Sequence, residues 1–283
     1  MNPSPLDIGA AINQAARLTR EADALLIAAG AGMGVDSGLP DFRGTEGFWR
    51  AYPAIAKLGL RFEQMANPRW FQESPELAWA FYGHRLALYR KTMPHAGFQR
   101  LLAASGKQRL GYFVFTSNVD GQFQKAGFDP GRIVECHGSV HYFQCCRPCR
   151  GIIWDAATES VTVDESNFLA IAPLPQCRHC RKTARPNILM FGDDAWISDR
   201  SHEQQRRLQS WLQSVRSNRG KLVVIELGAG TAVPSVRNLS GWMVNDYQAT
   251  LIRINPREPE VPSGQIGLPL GAEDGLRRIF ESI

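Results

Sequence analysis

All six cysteines of this 283-residue chain fall between Cys136 and Cys180. Two close groups, Cys145-Cys146-Arg147-Pro148-Cys149 and Cys177-Arg178-His179-Cys180, have 27 residues between them. Each tight turn can present two sulfurs and the loop between can close a tetrahedron, which is how thiolates hold zinc. Four sulfurs leave the ion no open position, so it would hold structure and perform no chemistry. The first group leaves a choice open, because Cys146 with Cys149 makes Cys-x-x-Cys whereas Cys145 with Cys149 makes Cys-x-x-x-Cys. His179 reads as solvent-facing and Cys136, at a strand end, as a small core residue.

Glycines carry a second chemistry. The apolar run Ala24-Leu25-Leu26-Ile27-Ala28-Ala29 passes directly into Gly30-Ala31-Gly32-Met33-Gly34. Glycines at the end of a buried strand let backbone amides approach a pyrophosphate, and a following helix N-terminus favours negative charge. The string is not a strict G-x-G-x-x-G, since Val35 stands at the last glycine's place. A second corner, Gly228-Ala229-Gly230-Thr231, follows another strand-like run, and two such corners can face one crevice. His137, between a strand and Gly138, brings an imidazole that can accept a proton near neutral pH to the crevice rim.

These residues need a frame, and hydrophobic periodicity supplies one. Ile8, Ile12, Ala15, Ala16 and Leu18 keep a helical period ahead of the first strand. Further strand-length apolar runs lie at 112–115, 133–134, 188–191, 222–225 and 251–254, with helical patterns such as Leu208, Trp211, Leu212 and Val215 between them. Alternating β and α elements predict an α/β fold with a Rossmann-like, mostly parallel sheet. Two stretches break the rhythm. Residues 48–93 carry aromatics at helical spacing and read as a helical insertion, while 139–184 holds five of the cysteines and reads as a small zinc-binding module. The sheet domain is then assembled from 1–47, 94–138 and 185–283.

Composition fits a folded, water-soluble chain: 44% of residues are hydrophobic and 21% charged, which sets disorder aside. The formal charge of +5 is scattered, suiting anionic ligands and giving little ground for a nucleic-acid partner. No run reaches the roughly 18 apolar residues of a membrane span. The N-terminus lacks a secretory pattern, so the expected location is cytoplasmic, with no membrane partner.

The longer string Gly30-Ala31-Gly32-Met33-Gly34-Val35-Asp36-Ser37-Gly38-Leu39-Pro40-Asp41-Phe42-Arg43-Gly44 resembles the cofactor-loop signature of the sirtuins, NAD-dependent protein deacylases. Further matches follow in the family's order: Thr116-Ser117-Asn118-Val119-Asp120, Cys136-His137-Gly138-Ser139, the two cysteine pairs, Arg185-Pro186-Asn187-Ile188, Phe191-Gly192, Gly230-Thr231 and Ile254-Asn255-Pro256. The likeness covers about residues 10–280. It implies NAD as cosubstrate, bound by Gly30 to Gly34, Asp41, Phe42, Arg43, Ser117 to Asp120, Gly230, Thr231, Ala232, Asn255 and Pro256. Asn118 and Asp120 would serve the ribose and the nicotinamide pocket, Phe42 would shield the reactive carbon, and His137 would be the general base. Phe191 and Gly192 would line the substrate groove. Counting from His137, the resemblance selects Cys145, with Cys149, Cys177 and Cys180, as zinc ligands. Ser117 for the usual Gln, Ala232 and Gly34 for Ser, and Asp193-Asp194 for Glu depart from the family pattern.

By the family's mechanism, the acyl oxygen of a modified lysine displaces nicotinamide from the ribose, and His137 then activates a ribose hydroxyl against the resulting imidate. Free lysine, nicotinamide and acylated ADP-ribose are the implied products, and an acyl-lysine protein or peptide is the implied partner. Tyr82-Gly83-His84-Arg85 places a phenol and a guanidinium three apart on one helix face. Tyr-x-x-Arg resembles the motif of sirtuins that remove succinyl and malonyl groups, which implies acceptance of acidic acyl chains. Two alternatives stay open at this point, an ADP-ribosyltransferase or NAD glycohydrolase and a noncatalytic NAD-binding module. Subunit number is not legible.

Overall fold

The computed structural model describes residues 8–40 and 44–281. Strand β1 (Ala24–Ala29) is buried at every residue, as an uninterrupted apolar run requires when both faces of a sheet are covered. It pairs in parallel with β2 (Tyr112–Thr116) on one side, Leu25 opposite Tyr112, and with β9 (Leu222–Leu227) on the other, Ala24 opposite Leu222. With β3 (Ile133–Glu135), β10 (Thr250–Ile254) and β11 (Ile266–Leu268) the parallel sheet has the order β11-β10-β9-β1-β2-β3. Period-two alternation sorts β1 between two cores. Leu25, Ile27 and Ala29 pack with Ile12, Leu101 and Leu276 of helices Ile8–Glu21, Ala96–Ser105 and Ala272–Glu281. Ala24, Leu26 and Ala28 pack with Leu208, Leu212 and Met243 of helices Asp199–Ser217 and Ser235–Tyr247.

From β1 the chain winds outward to β2 and β3, and it later resumes at β9 on β1's other side to wind through β10 and β11. The winding therefore reverses between β1 and β9, and open α/β sheets form their ligand crevice at the carboxyl ends of strands at such a reversal. Gly30 and Gly228 are the residues that follow those two strand ends.

After β3 the chain leaves this sheet. Strand β4 (Gly138–Cys145) pairs antiparallel with β5 (Ile153–Asp155) and with β8 (Ala184–Ile188), while β6 (Thr162–Asp164) and β7 (Leu169–Ile171) form a separate hairpin. Gly138 makes the exit possible. Its φ is +78° and a Cβ there would lie 2.0 Å from the Asn187 carbonyl oxygen. The helices between β1 and β2, chiefly Pro75–Lys91, share one aromatic core with these strands, Trp79 and Phe81 packing in the same cluster as Phe143 and Trp154. Among the described residues no helix is long and apolar enough to cross a membrane.

One strand differs from the periodicity reading. The apolar run 188–191 predicts a strand, but the strand is Ala184–Ile188, and Leu189 and Phe191 are exposed at its end. A charged residue and a proline hide this strand from pattern reading. Arg185 is tolerated inside because Asp193 receives its guanidinium bidentately, both side chains being buried.

Candidate active site and metal centre

The two glycine corners touch. The Gly30 amide donates to the Leu227 carbonyl (2.9 Å) and the Gly32 amide to the Gly228 carbonyl (3.0 Å). Gly228 has φ +57° and a Cβ there would lie 2.4 Å from the Gly32 backbone, so the close approach of the corners requires glycine. The stretch after Gly30 is a single 3₁₀ segment, Ala31–Ser37, stopped by Gly38 in the left-handed conformation, where the sequence predicts an ordinary helix start. The Leu39 amide donates to the Gly34 carbonyl (3.1 Å), and a Cβ at Gly34 would lie 3.0 Å from the Leu39 side chain.

Above the corners lies a cavity of about 720 Å³, within the range of small-molecule sites. Gly30, Ala31, Ser117, Asn118, Val119 and Asp120 line one side, Gly230, Thr231 and Ala232 another, and His137, Phe191, Tyr82 and Arg85 complete it. Gly32, Met33, Gly34, Asn255, Pro256 and Gly192 are not on its wall. Met33 and Gly34 are buried beneath the corner. Asn255, fully buried, donates to the Ala229 carbonyl (2.9 Å) and accepts from the Arg257 and Glu258 amides, so its side chain shapes the second corner from below. Asp41, Phe42 and Arg43 lie outside the described residues.

Asn118 is held by its own amide donating to Thr116 Oγ1 (3.0 Å) while its Nδ2 donates to the Gly30 carbonyl (3.0 Å). That bond ties the β2 loop to the first glycine corner. Asp120 is buried, and its Oδ1 accepts the Gln122 amide (2.9 Å). Burial pushes its carboxyl up to about 6, with the nearby Glu135 adding and the Gln122 amide opposing. A carboxyl raised in the folded protein carries a stability penalty that is absent below its ordinary value near 3.8 and fully present above about 6. Asp120→Asn keeps an acceptor for Gln122 and removes the charge, so it is expected to stabilise the protein at pH 7.5 by on the order of 2–3 kcal/mol. The gain should shrink toward pH 4 while turnover falls, and thermal melts of the two proteins across that range measure it. A gain that grew on acidification would contradict the assigned cause.

His137 stands between the two sheets, where β3 ends and β4 begins, and its carbonyl accepts the Leu189 amide (2.9 Å). Its Nε2 lies 3.0 Å from Ser235 Oγ. Burial lowers the imidazole below its ordinary value, partly offset by a hydrogen bond with the Ser117 backbone. The ring is therefore neutral at pH 7, the state a proton acceptor needs.

At the other end, Tyr82 and Arg85 of helix Pro75–Lys91 are both buried and both reach the cavity. Arg85 Nε donates to the Tyr89 hydroxyl (2.9 Å) and its guanidinium lies 5.7 Å from the Tyr82 ring centre. The Tyr82 hydroxyl is buried without a hydrogen-bond partner among the described residues, and burial pushes it up to about 12, so it remains a donor.

The sulfurs of Cys145, Cys149, Cys177 and Cys180 lie within 4.8 Å of one another. Cys145 to Cys180 is 3.6 Å and Cys149 to Cys177 is 3.7 Å. A tetrahedron with zinc–sulfur bonds of about 2.3 Å has sulfurs about 3.8 Å apart, so the donor set fits zinc in both chemistry and spacing. Cys146 is not among the four. Cys146 lies near the buried Arg185 and Asp193.

The sequence does not mark the wall residues Tyr89 and Glu258 as part of the site, nor Ser235, which touches His137. Tyr89 follows Tyr82 and Arg85 at seven and four residues, so heptad spacing on the same helix face was the available signal. Glu258 lies just past Asn255 and is gripped by Arg237 (3.0 Å). Ser235 is the first residue of its helix, and nothing in its neighbourhood in the chain marks it as a partner of His137.

The fold and site define an α/β protein of the doubly wound kind, with a cavity at its glycine corners and a four-thiolate cluster that fits zinc. A model of the Sir2 family matches residues 30–210. The NAD-dependent protein deacylase of Aquifex aeolicus is 24% identical over 259 residues, covering 89% of this chain and 92% of that protein. That of Leptospira interrogans serovar copenhageni is 30% identical over 235 residues, covering 83% and 82%. A solved ADP-ribose complex of a mutant Sir2 homologue superposes with a TM-score of 0.72 at 25% identity over 95% of both chains. The chain belongs to the Sir2 family, the sirtuins.

Proposed function

We propose that this chain is an NAD-dependent protein lysine deacylase that releases nicotinamide and 2′-O-acyl-ADP-ribose. The observation that carries the reading is convergence: the glycine corners, Asn118, Asp120, neutral His137 and the Tyr82/Arg85 pair all face one cavity. NAD supplies a cationic leaving group on an anomeric carbon, so the protein has to orient the ribose, exclude water and remove one proton. Asn118 and Asp120 hold the ribose side. His137 takes the proton. The thiolate zinc, held by Cys145, Cys149, Cys177 and Cys180, keeps the β4 and β8 ends together and takes no part in the reaction. The names of the relatives and the ADP-ribose complex of the Sir2 homologue support the same reading. Incubation with NAD and acyl-lysine peptides tests it by mass spectrometry. Acylated ADP-ribose is expected, whereas free ADP-ribose or ADP-ribosylated protein as the main product would favour glycohydrolase or transferase activity.

The floor of the cavity supports acidic acyl groups as substrates. A carboxylate arriving there meets the Arg85 guanidinium and the Tyr82 hydroxyl, a charge-assisted pairing that an acetyl group cannot make. Losing such a bond costs about 1.5–3 kcal/mol. Arg85→Met is therefore expected to lower kcat/KM for succinyl-lysine and malonyl-lysine peptides by roughly tenfold to a hundredfold, with a far smaller change for acetyl-lysine. Equal losses on all three peptides would assign Arg85 to packing alone.

A further inference from the structure

His137 has a neighbour whose role the reaction outlined above leaves unassigned. Ser235 Oγ lies 3.0 Å from Nε2, the ring nitrogen in contact with a side chain, and both residues are partly buried. The serine opens helix Ser235–Tyr247, on the segment that leads out of the second glycine corner, so a residue from the cosubstrate side of the cavity reaches across to the base. In the tautomer that serves as a base, Nε2 carries the lone pair, and the serine hydroxyl 3.0 Å away is the donor that meets it.

We propose that Ser235 is a positioning residue for His137: it holds Nε2 toward the cavity in the resting protein and receives the Nε2–H once the ring has taken a proton. A hydroxyl suits both states because it donates and accepts. Before the step, Ser235 O–H donates to Nε2. A ribose hydroxyl entering the cavity displaces that contact, its O–H bond breaks toward Nε2, and its oxygen bonds to the imidate carbon as the C=N π pair of that carbon passes to the lysine nitrogen. The imidazolium Nε2–H then has Ser235 Oγ as acceptor, and the proton leaves to solvent or to the departing lysine amine. No oxidant or reductant is involved. A serine this close to a histidine also resembles a nucleophile with its base. The positioning role is favoured because the serine hydroxyl meets the very ring nitrogen that must take the proton, whereas no acyl or sugar transfer to Ser235 is needed for the products.

The inference rests on the deacylase reading for its consequence, and its test separates the two. Ser235→Ala and Ser235→Thr are compared with the unaltered protein in two assays, exchange of labelled nicotinamide into NAD in the presence of an acetyl-lysine peptide and formation of acylated ADP-ribose. The alanine variant is expected to retain exchange within about twofold and to lose product formation by roughly tenfold to a hundredfold, the worth of one hydrogen bond to a charged group. Threonine, which keeps the hydroxyl, is expected to restore most of it. A nitrogen-15 NMR spectrum of the imidazoles supplies a readout independent of turnover: the His137 Nε2 resonance should move in the alanine variant and return in the threonine variant. An unmoved resonance, an equal loss in both assays, or alanine and threonine variants that behave alike would each overturn the positioning role. If the unaltered protein made no acylated ADP-ribose with any peptide, the deacylase reading would fail while the resonance still decided the contact.

Discussion

His137→Ala is expected to abolish acylated ADP-ribose, with a fall of about 10²–10⁴-fold, while exchange of nicotinamide survives. The asymmetry comes from where the ring stands. In the proposed reaction nicotinamide leaves because its nitrogen is already cationic, and the residues proposed to hold the ribose, Asn118 and the Gly30 corner it is bonded to, act without the imidazole. Only the later attack by a ribose hydroxyl requires a proton to be removed. Burial lowers His137 below the ordinary histidine value of 6.5, so the neutral base persists into mildly acidic solution. The acid limb of kcat is accordingly expected below pH 6.5, and the alanine variant should have no such limb in its residual exchange. Steady-state product formation and exchange, measured from pH 5 to 8, check both statements. A variant that lost exchange and product together would place His137 in nucleotide binding instead.

Much of the candidate site was legible because its residues follow strands. Gly30, Ser117 to Asp120, His137 and Gly230 all lie just past the carboxyl ends of short apolar runs, so locating the strands located the rim of the crevice. Which strands adjoin was not legible. The contact between Gly228 and Gly32 depends on β9 lying beside β1, a fact of sheet order that local periodicity does not encode. Asn255 shows the same limit from the other direction. It belongs to a motif segment, yet its side chain serves the Ala229 carbonyl under the corner and does not reach the cavity wall. Ser235 escaped notice because its only mark is a side-chain contact across 98 positions. β8 escaped because Arg185 and Pro186 break an apolar pattern that Asp193 makes tolerable. The aromatic helix Pro75–Lys91 was readable as buried, while its shared core with the cysteine-bearing strands came only from tertiary packing.

That shared core gives the cysteines a larger effect than their distance from the cavity suggests. Cys177→Ser is expected to reduce bound zinc from one per chain to none, because three thiolates and a hydroxyl lose the soft donor set that selects the ion. Apparent zinc-binding free energies of about 10–16 kcal/mol in small thiolate sites are folding free energy, so most of the stability of the module between β4 and β8 should go with the metal. The strands there are short, three residues in β5, β6 and β7, and cannot hold themselves together by sheet pairing. Phe143 of β4 and Trp154 of β5 share one core with Trp79 and Phe81, which lie on the helix that carries Tyr82 and Arg85. Loosening the module therefore loosens the acyl end of the cavity, while the parallel sheet, with its own two cores, should keep its fold. The expected pattern is protease cleavage confined to 146–183, a melting transition lowered by more than 10 °C, and loss of deacylation alongside retained nucleotide binding. Cys146→Ser is the matched control, since its sulfur is not among the four that converge, and it should keep zinc, melting temperature and turnover. Metal analysis of the purified variants decides the ligand set directly: zinc lost from Cys146→Ser and kept by Cys145→Ser would exchange the two residues' roles. A Cys177→Ser protein that lost its zinc yet kept the deacylation rate would show that the cavity's acyl end is held by the helix alone.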